Sequence, residues 1–234
     1  MATETVEGWL LHTTPQGDTS LNLSFFCLEK GLVRASYRGG RSKKQLSLQP
    51  FTPLWFSLNE QRDWHYIQKA EALGVTIFLE GKALFAALYI NELLYYTLAP
   101  LEPYPSLFKA YEFTIENLAR AKELFTIEIT LRYFEKELLI ALGEGIAFDV
   151  EAGSLMPIKE NLFYEFKARV GFQQTKDNGI LGADIIQLAQ GKLDNPQILK
   201  LAKVIMRKAI DSLLNGRELK SRAFAKAHAS LKET

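Results

Sequence analysis

Apolar positions follow two different spacings along the chain, and the change between them divides it. In the first part they alternate or gather in short runs: Gly8-Trp-Leu-Leu-His-Thr13, Leu21-Asn-Leu-Ser-Phe-Phe26, Gly31-Leu-Val-Arg-Ala-Ser-Tyr37, Leu54-Trp-Phe-Ser-Leu58 and Trp64-His-Tyr-Ile67. Alternation and short apolar runs between turn signals predict strands. Pro15-Gln-Gly-Asp18 and the tight Glu29-Lys-Gly31 connection supply turns, and Leu46 to Pro50 returns the chain to the core. Five short strands in succession predict a small barrel or sandwich. After Gly81 the apolar positions recur at three and four, and the chain reads as mainly helical. Helices are expected over Ala83–Leu98, from near Pro105, over about Glu123–Leu142 and over about Pro196–Leu214. Three prolines, Pro100, Pro103 and Pro105, force an extended corner between the first two, while Pro105 suits a first helical turn. Phe108, Tyr111, Ile115 and Leu118 mark the inner face of the second, and Ile127, Leu131, Phe134, Leu138 and Leu142 that of the third, which Gly143 ends. The expected organisation is α+β: a barrel domain over residues 1–80, then a helical domain over 81–234 with an irregular insertion at about 145–190.

Composition adds limits. With 234 residues and 47% hydrophobic content the chain can bury a real core. The one cysteine, Cys27, lies in an apolar strand and reads as a small buried hydrophobe. The amino terminus carries no secretory pattern, and the most apolar stretch, Ala83–Leu98, is short for a bilayer and broken by Asn91 and Glu92. A cytoplasmic protein without a membrane partner is expected.

Charge changes the picture more. Net charge is only +1, yet residues 112–165 hold eleven acids to five bases and residues 192–232 ten bases to three acids. The run Arg34-Ala-Ser-Tyr-Arg-Gly-Gly-Arg-Ser-Lys-Lys44 places Arg34, Arg38, Arg41, Lys43 and Lys44 together with no acid, and Gly39-Gly40 allows a sharp turn. Such a loop suits phosphate oxygens, and a solvated hairpin tip is the plainer reading. Tyr37 is the nearest candidate for base stacking; Trp9, Trp55 and Trp64 are further candidates, with core as their plainer reading. Lys200, Lys203 and Arg207 form a basic helix face that suits a phosphate backbone, with a solvated face as the plainer reading; Arg217, Lys220 and Arg222 extend the basic set. No catalytic constellation is present: there is no P-loop, Gly-x-Ser-x-Gly elbow or His-Glu-x-x-His pair, and Gly143-Glu-Gly145 lacks the third glycine and the preceding strand of a dinucleotide fingerprint. A protein that works by binding, with no cofactor, is expected.

Five ordered blocks resemble the RecO family of bacterial DNA repair and recombination mediators. They are Glu7-Gly-Trp-Leu-Leu-His12; Arg38-Gly-Gly-Arg-Ser-Lys-Lys44 leading to Leu48-Gln-Pro-Phe-Thr-Pro-Leu54; Leu88-Tyr-Ile-Asn-Glu-Leu-Leu94; Leu131-Arg-Tyr-Phe-Glu-Lys-Glu-Leu-Leu139 leading to Leu142-Gly-Glu-Gly145; and Gly216-Arg-Glu-Leu-Lys-Ser-Arg222. The resemblance implies that the barrel is an oligonucleotide-binding (OB) fold. It further implies binding of single- and double-stranded DNA, annealing of complementary strands, and help in loading a recombinase onto DNA coated with single-stranded-DNA-binding protein, together with RecR. It also implies docking of the acidic, phenylalanine-ended C-terminal tail of single-stranded-DNA-binding protein on the helical domain, with Arg132 as the cation. An ordinary helix-surface arginine paired to Glu128 or Glu135 is the other reading of Arg132. Some members hold a four-cysteine zinc site in the region of 145–190; this chain has no cysteine there, so no zinc site is expected. Nucleoid association follows from the same resemblance. The alternative function is an adaptor that binds proteins and no DNA.

Overall fold

The computed structural model describes residues 3–40, 48–61 and 64–230. Five strands, β1 (Thr3–Gln16), β2 (Ser20–Cys27), β3 (Gly31–Tyr37), β4 (Pro53–Gln61) and β5 (Trp64–Ala72), close into a barrel in the order β1-β2-β3-β5-β4. The β3–β5 contact is parallel and the rest antiparallel, the order expected of an OB barrel. Inward positions alternate as period two demands: Val6 and Leu10, Leu23 and Phe25, Val33, Ala35 and Tyr37, Leu54, Phe56 and Leu58, and Ile67 fill the interior. Phe25 and Phe56 stack there with centroids 4.2 Å apart.

Two local features aim the chain. Gly31 opens β3 at φ 62°, where a side chain's Cβ would sit 1.7 Å from the Glu102 carbonyl oxygen, so only glycine allows this approach. In β1 the register shifts between Leu10 and His12. Simple alternation from Leu10 would turn His12 inward; the extra residue at the bulge pairs it with Ser24 on the outer face instead.

Three helices pack with the barrel as one compact unit of residues 1–121 and 219–234: α1 (Gly81–Thr97), α2 (Pro105–Arg120) and α6 (Lys220–Ser230). The two polar residues that break the apolar run of α1 are its fasteners. Asn91 donates to the Leu10 carbonyl at 3.3 Å and accepts from the Tyr111 hydroxyl at 2.9 Å, fixing α1 and α2 to β1. Glu92 accepts from the backbone N–H groups of Lys220 and Ser221, each at 2.9 Å, and from the Ser221 hydroxyl at 2.6 Å. Those N–H groups are orphan donors at the start of α6, so Glu92 caps a helix remote in sequence.

The second compact unit, residues 122–218, holds α3 (Leu124–Ala141), a three-stranded sheet of β6 (Phe163–Lys167), β7 (Gly171–Thr175) and β8 (Ile180–Leu181), then α4 (Gly182–Ala189) and α5 (Pro196–Leu213). The stretch that sequence leaves irregular thus contains a small sheet and a helix. Tyr164, Phe166 and Phe172 pack with Leu139 of α3 and Ile205, Met206 and Ala209 of α5, so an apolar cluster fixes this segment. Among the described residues no three His, Cys, Asp or Glu side chains converge as a metal site. No described helix is long and apolar enough to cross a membrane.

Candidate nucleic-acid interface

The outer face of the barrel is built in cross-strand rows. One row runs His12–Ser24–Arg34 across β1, β2 and β3, and the next runs Thr14–Asn22–Ser36–Tyr66 across β1, β2, β3 and β5. Even-numbered residues of β3 point outward at this end and odd-numbered ones inward, which separates the predicted residues. Arg34 is exposed and sits over the Tyr95 ring of α1, 5.4 Å from its centroid. Arg38, just past β3, lies over Tyr66 at 5.6 Å. Neither pairs with a carboxylate among the described residues. Tyr37, expected to stack on a base, is only 5% exposed. It shares the parity of Val33 and Ala35 and fills the barrel core, so that expectation is corrected.

The exposed aromatic is Trp64, 41% accessible at the start of β5. Its indole N–H donates to the Ser36 hydroxyl at 2.9 Å, which lies 2.9 Å from both Gln16 Oε1 and Asn22 Oδ1 and donates to one of them at a time. The ring edge is thereby fixed while part of the side chain stays exposed. Gln16, Ser20, Ser36, Arg38, Trp64 and Tyr66 line one shallow concavity. Counting in twos from the buried Ile67 puts Trp64 and Tyr66 on the outside, a signal that strand alternation carries in the sequence. Trp9 and Trp55 differ: Trp9 is buried and donates to Glu112 at 3.3 Å, and Trp55 lies under the Lys69 ammonium. Burial, opposed by that Trp9 hydrogen bond, raises the Glu112 pKa.

The basic set from the end of the chain joins the same unit through α1. Tyr95, which carries Arg34, also touches the His12 ring at a centroid distance of 4.6 Å. Burial lowers the His12 pKa, and Lys220 lowers it further against an opposing pull from Glu92. Arg222 lies over the Tyr89 ring at 5.4 Å and donates to the Tyr89 hydroxyl at 3.4 Å. Arg34, Arg38, Lys220 and Arg222 therefore belong to one compact unit, and the three arginines lie over Tyr95, Tyr66 and Tyr89. Arg217 is exposed and falls in the second unit. Arg41, Lys43 and Lys44 lie outside the described residues; the turn leading to them carries Gly39 at φ 71°.

Several cations of the second unit lie against carboxylates. Arg132 is 7% exposed and bidentate to Glu135, with Nη2–Oε1 and Nε–Oε2 both 2.7 Å. Lys203 bonds Glu128, Arg207 reaches Asp211 at 3.8 Å, and Arg169 reaches Glu144 at 3.6 Å. Cys27 is fully buried, and burial pushes its thiol pKa far up, so it stays protonated and inert.

Two family models match the chain: one described as the N-terminal part of Recombination protein O over residues 1–75, and one described as its C-terminal part over residues 79–223. Among curated proteins the chain is 44% identical to a DNA repair protein RecO of Legionella pneumophila (strain Lens), an alignment covering 95% of this chain and 98% of that one. It is 36% identical to the proteins of the same name from Methylococcus capsulatus, covering 92% and 89%, and Tolumonas auensis, covering 92% and 91%.

Proposed function

The chain belongs to the RecO family, and from that premise we propose that it is a DNA repair and homologous recombination mediator acting by binding and without covalent chemistry. It binds single- and double-stranded DNA, anneals complementary strands and, together with RecR, assists recombinase loading on DNA coated with single-stranded-DNA-binding protein. It does so in the cytoplasm, associated with the nucleoid. The carrying observation is a pair of arginines, Arg34 and Arg38, held over tyrosine rings, with Arg38 and the partly exposed Trp64 lining one concavity of the barrel. Arginines contact the phosphate backbone and fix the strand, and an aromatic face stacks any base, a combination with affinity and little sequence preference. Arg41, Lys43 and Lys44 follow Gly40 in the sequence and add to the set, Lys220 and Arg222 add to it within the same unit, and Arg217 is a separate proposed DNA contact in the second unit. A cationic surface holding two strands screens their mutual repulsion, which is the physical basis of annealing.

Annealing of two dye-labelled complementary oligonucleotides tests this reading. The protein accelerates pairing, and Lys43→Glu with Lys44→Glu slows it; equal rates with and without protein would sink it.

The acidic C-terminal tail of single-stranded-DNA-binding protein is the proposed partner of Arg132. Because Glu135 already holds that guanidinium, tail binding is an exchange of carboxylates. Replacing both residues by methionine removes cation and anion together without leaving a buried charge. The variant should lose affinity for an acidic, phenylalanine-ended peptide, whereas unchanged affinity rejects the assignment. A protein-binding adaptor remains the second reading, favoured by the exposed Leu73, Val75 and Phe78 after β5, which are 51%, 89% and 77% accessible.

A further inference from the structure

We propose that His12, with Arg34 and Lys220, forms a proton-linked subsite for one phosphodiester group, so that a bound strand is held more tightly as pH falls. The inference rests on the nucleic-acid reading above and adds a residue and a regulation to it. Three observations carry it. The bulge in β1 exists at the position that turns His12 outward, away from the barrel core. His12 and Arg34 then stand at the two ends of one row with the small Ser24 between them, two strand spacings or roughly 10 Å apart. Both also contact Tyr95, which limits their motion, and Lys220 approaches from α6.

Glu92 gives the cluster its sign. Its two carboxylate oxygens accept three hydrogen bonds from Lys220 and Ser221 at the start of α6, so it is committed to holding that helix. The groups facing His12 are Glu92 and Tyr95 from α1, Lys220 from α6, Arg34 from β3, and the uncharged Ser24 from β2. In the free protein this surrounding disfavours the imidazolium. A phosphate placed among Arg34, Lys220 and His12 reverses the balance, because an anion favours the charged ring. The complex then binds a proton that the free protein does not, and affinity must rise as pH drops through the histidine range.

The test is affinity of a labelled single-stranded oligonucleotide for the full chain at about pH 8 and about pH 6, at one salt concentration. Wild type should bind roughly three- to tenfold more tightly at the lower pH, within the factor of ten per pH unit that one proton permits. His12→Gln should abolish the difference, and His65→Gln, a histidine outside the row, should keep it. In parallel, NMR titration of the wild-type imidazoles should show the His12 pKa rising when oligonucleotide binds. A His12→Gln variant that retains the pH dependence, or a His12 pKa unmoved by DNA, overturns the subsite while leaving the DNA reading intact. Absence of any oligonucleotide binding overturns both.

Discussion

The two units hold several of their cations in different ways, although the first also contains the pairs Lys30–Glu4, Lys69–Glu71 and Arg120–Glu116. In the first, Arg34, Arg38 and Arg222 lie over the rings of Tyr95, Tyr66 and Tyr89. In the second, Arg132, Arg169, Lys203 and Arg207 meet Glu135, Glu144, Glu128 and Asp211. A tyrosine ring orients a guanidinium through its quadrupole and leaves the net charge unchanged. A carboxylate orients it as well but cancels the field, so any incoming anion must first displace it. The difference teaches that counting lysines and arginines does not locate a polyanion surface; the identity of their neighbours does. The base-rich segment 192–232 illustrates this, since its middle is answered by acids while its end, at Lys220 and Arg222, rejoins the barrel unit.

The largest expected effect concerns Glu92, a carboxylate of the first unit that holds a helix end. Glu92→Ala removes three hydrogen bonds to the start of α6, and with charged hydrogen bonds contributing about 1.5–3 kcal/mol, α6 should open locally. Hydrogen exchange at Lys220 to Arg222 should speed up while the barrel amides stay protected; unchanged exchange would mean that Glu92 is not what holds the helix. Next comes Trp64→Ala, expected to weaken single-strand binding by about 1–3 kcal/mol for the loss of one stacked base. Trp64→Phe should keep most of the affinity, and quenching of Trp64 fluorescence on binding gives an independent readout. Smaller still is Tyr95→Leu, which removes the ring beneath Arg34 and should reduce affinity by about 0.5–1 kcal/mol. An increase instead would show that Tyr95 competes with DNA for the arginine.

The comparison also explains what could be read in advance. The five strands, the switch to helices after Gly81 and the corner at Pro100–Pro105 follow from period and punctuation, and the structure has them. Arg34 and Arg38 stand out by charge in the sequence, and the structure leaves both exposed. Residue kind does not separate the buried Tyr37 from the exposed Trp64; strand parity decides which face each takes. His12 could not be placed by parity at all, since a bulge breaks it. Helix α6 was hidden because its cap, Glu92, lies 129 positions from its Ser221 partner. Residues 145–190 resisted reading because their core borrows Ile205, Met206 and Ala209 from α5, a contact with no local signal.

The most direct test compares two neutralising pairs, Arg34→Gln with Arg38→Gln and Lys203→Gln with Arg207→Gln, by oligonucleotide anisotropy across a salt series. With about 0.7 in the logarithmic slope for each phosphate contacted by a single strand, the first pair should flatten the salt dependence by about 1.4. The second pair should leave it unchanged. Equal flattening by both pairs, or flattening by the second alone, would contradict the claim that aromatic-held arginines on the barrel form the polyanion surface.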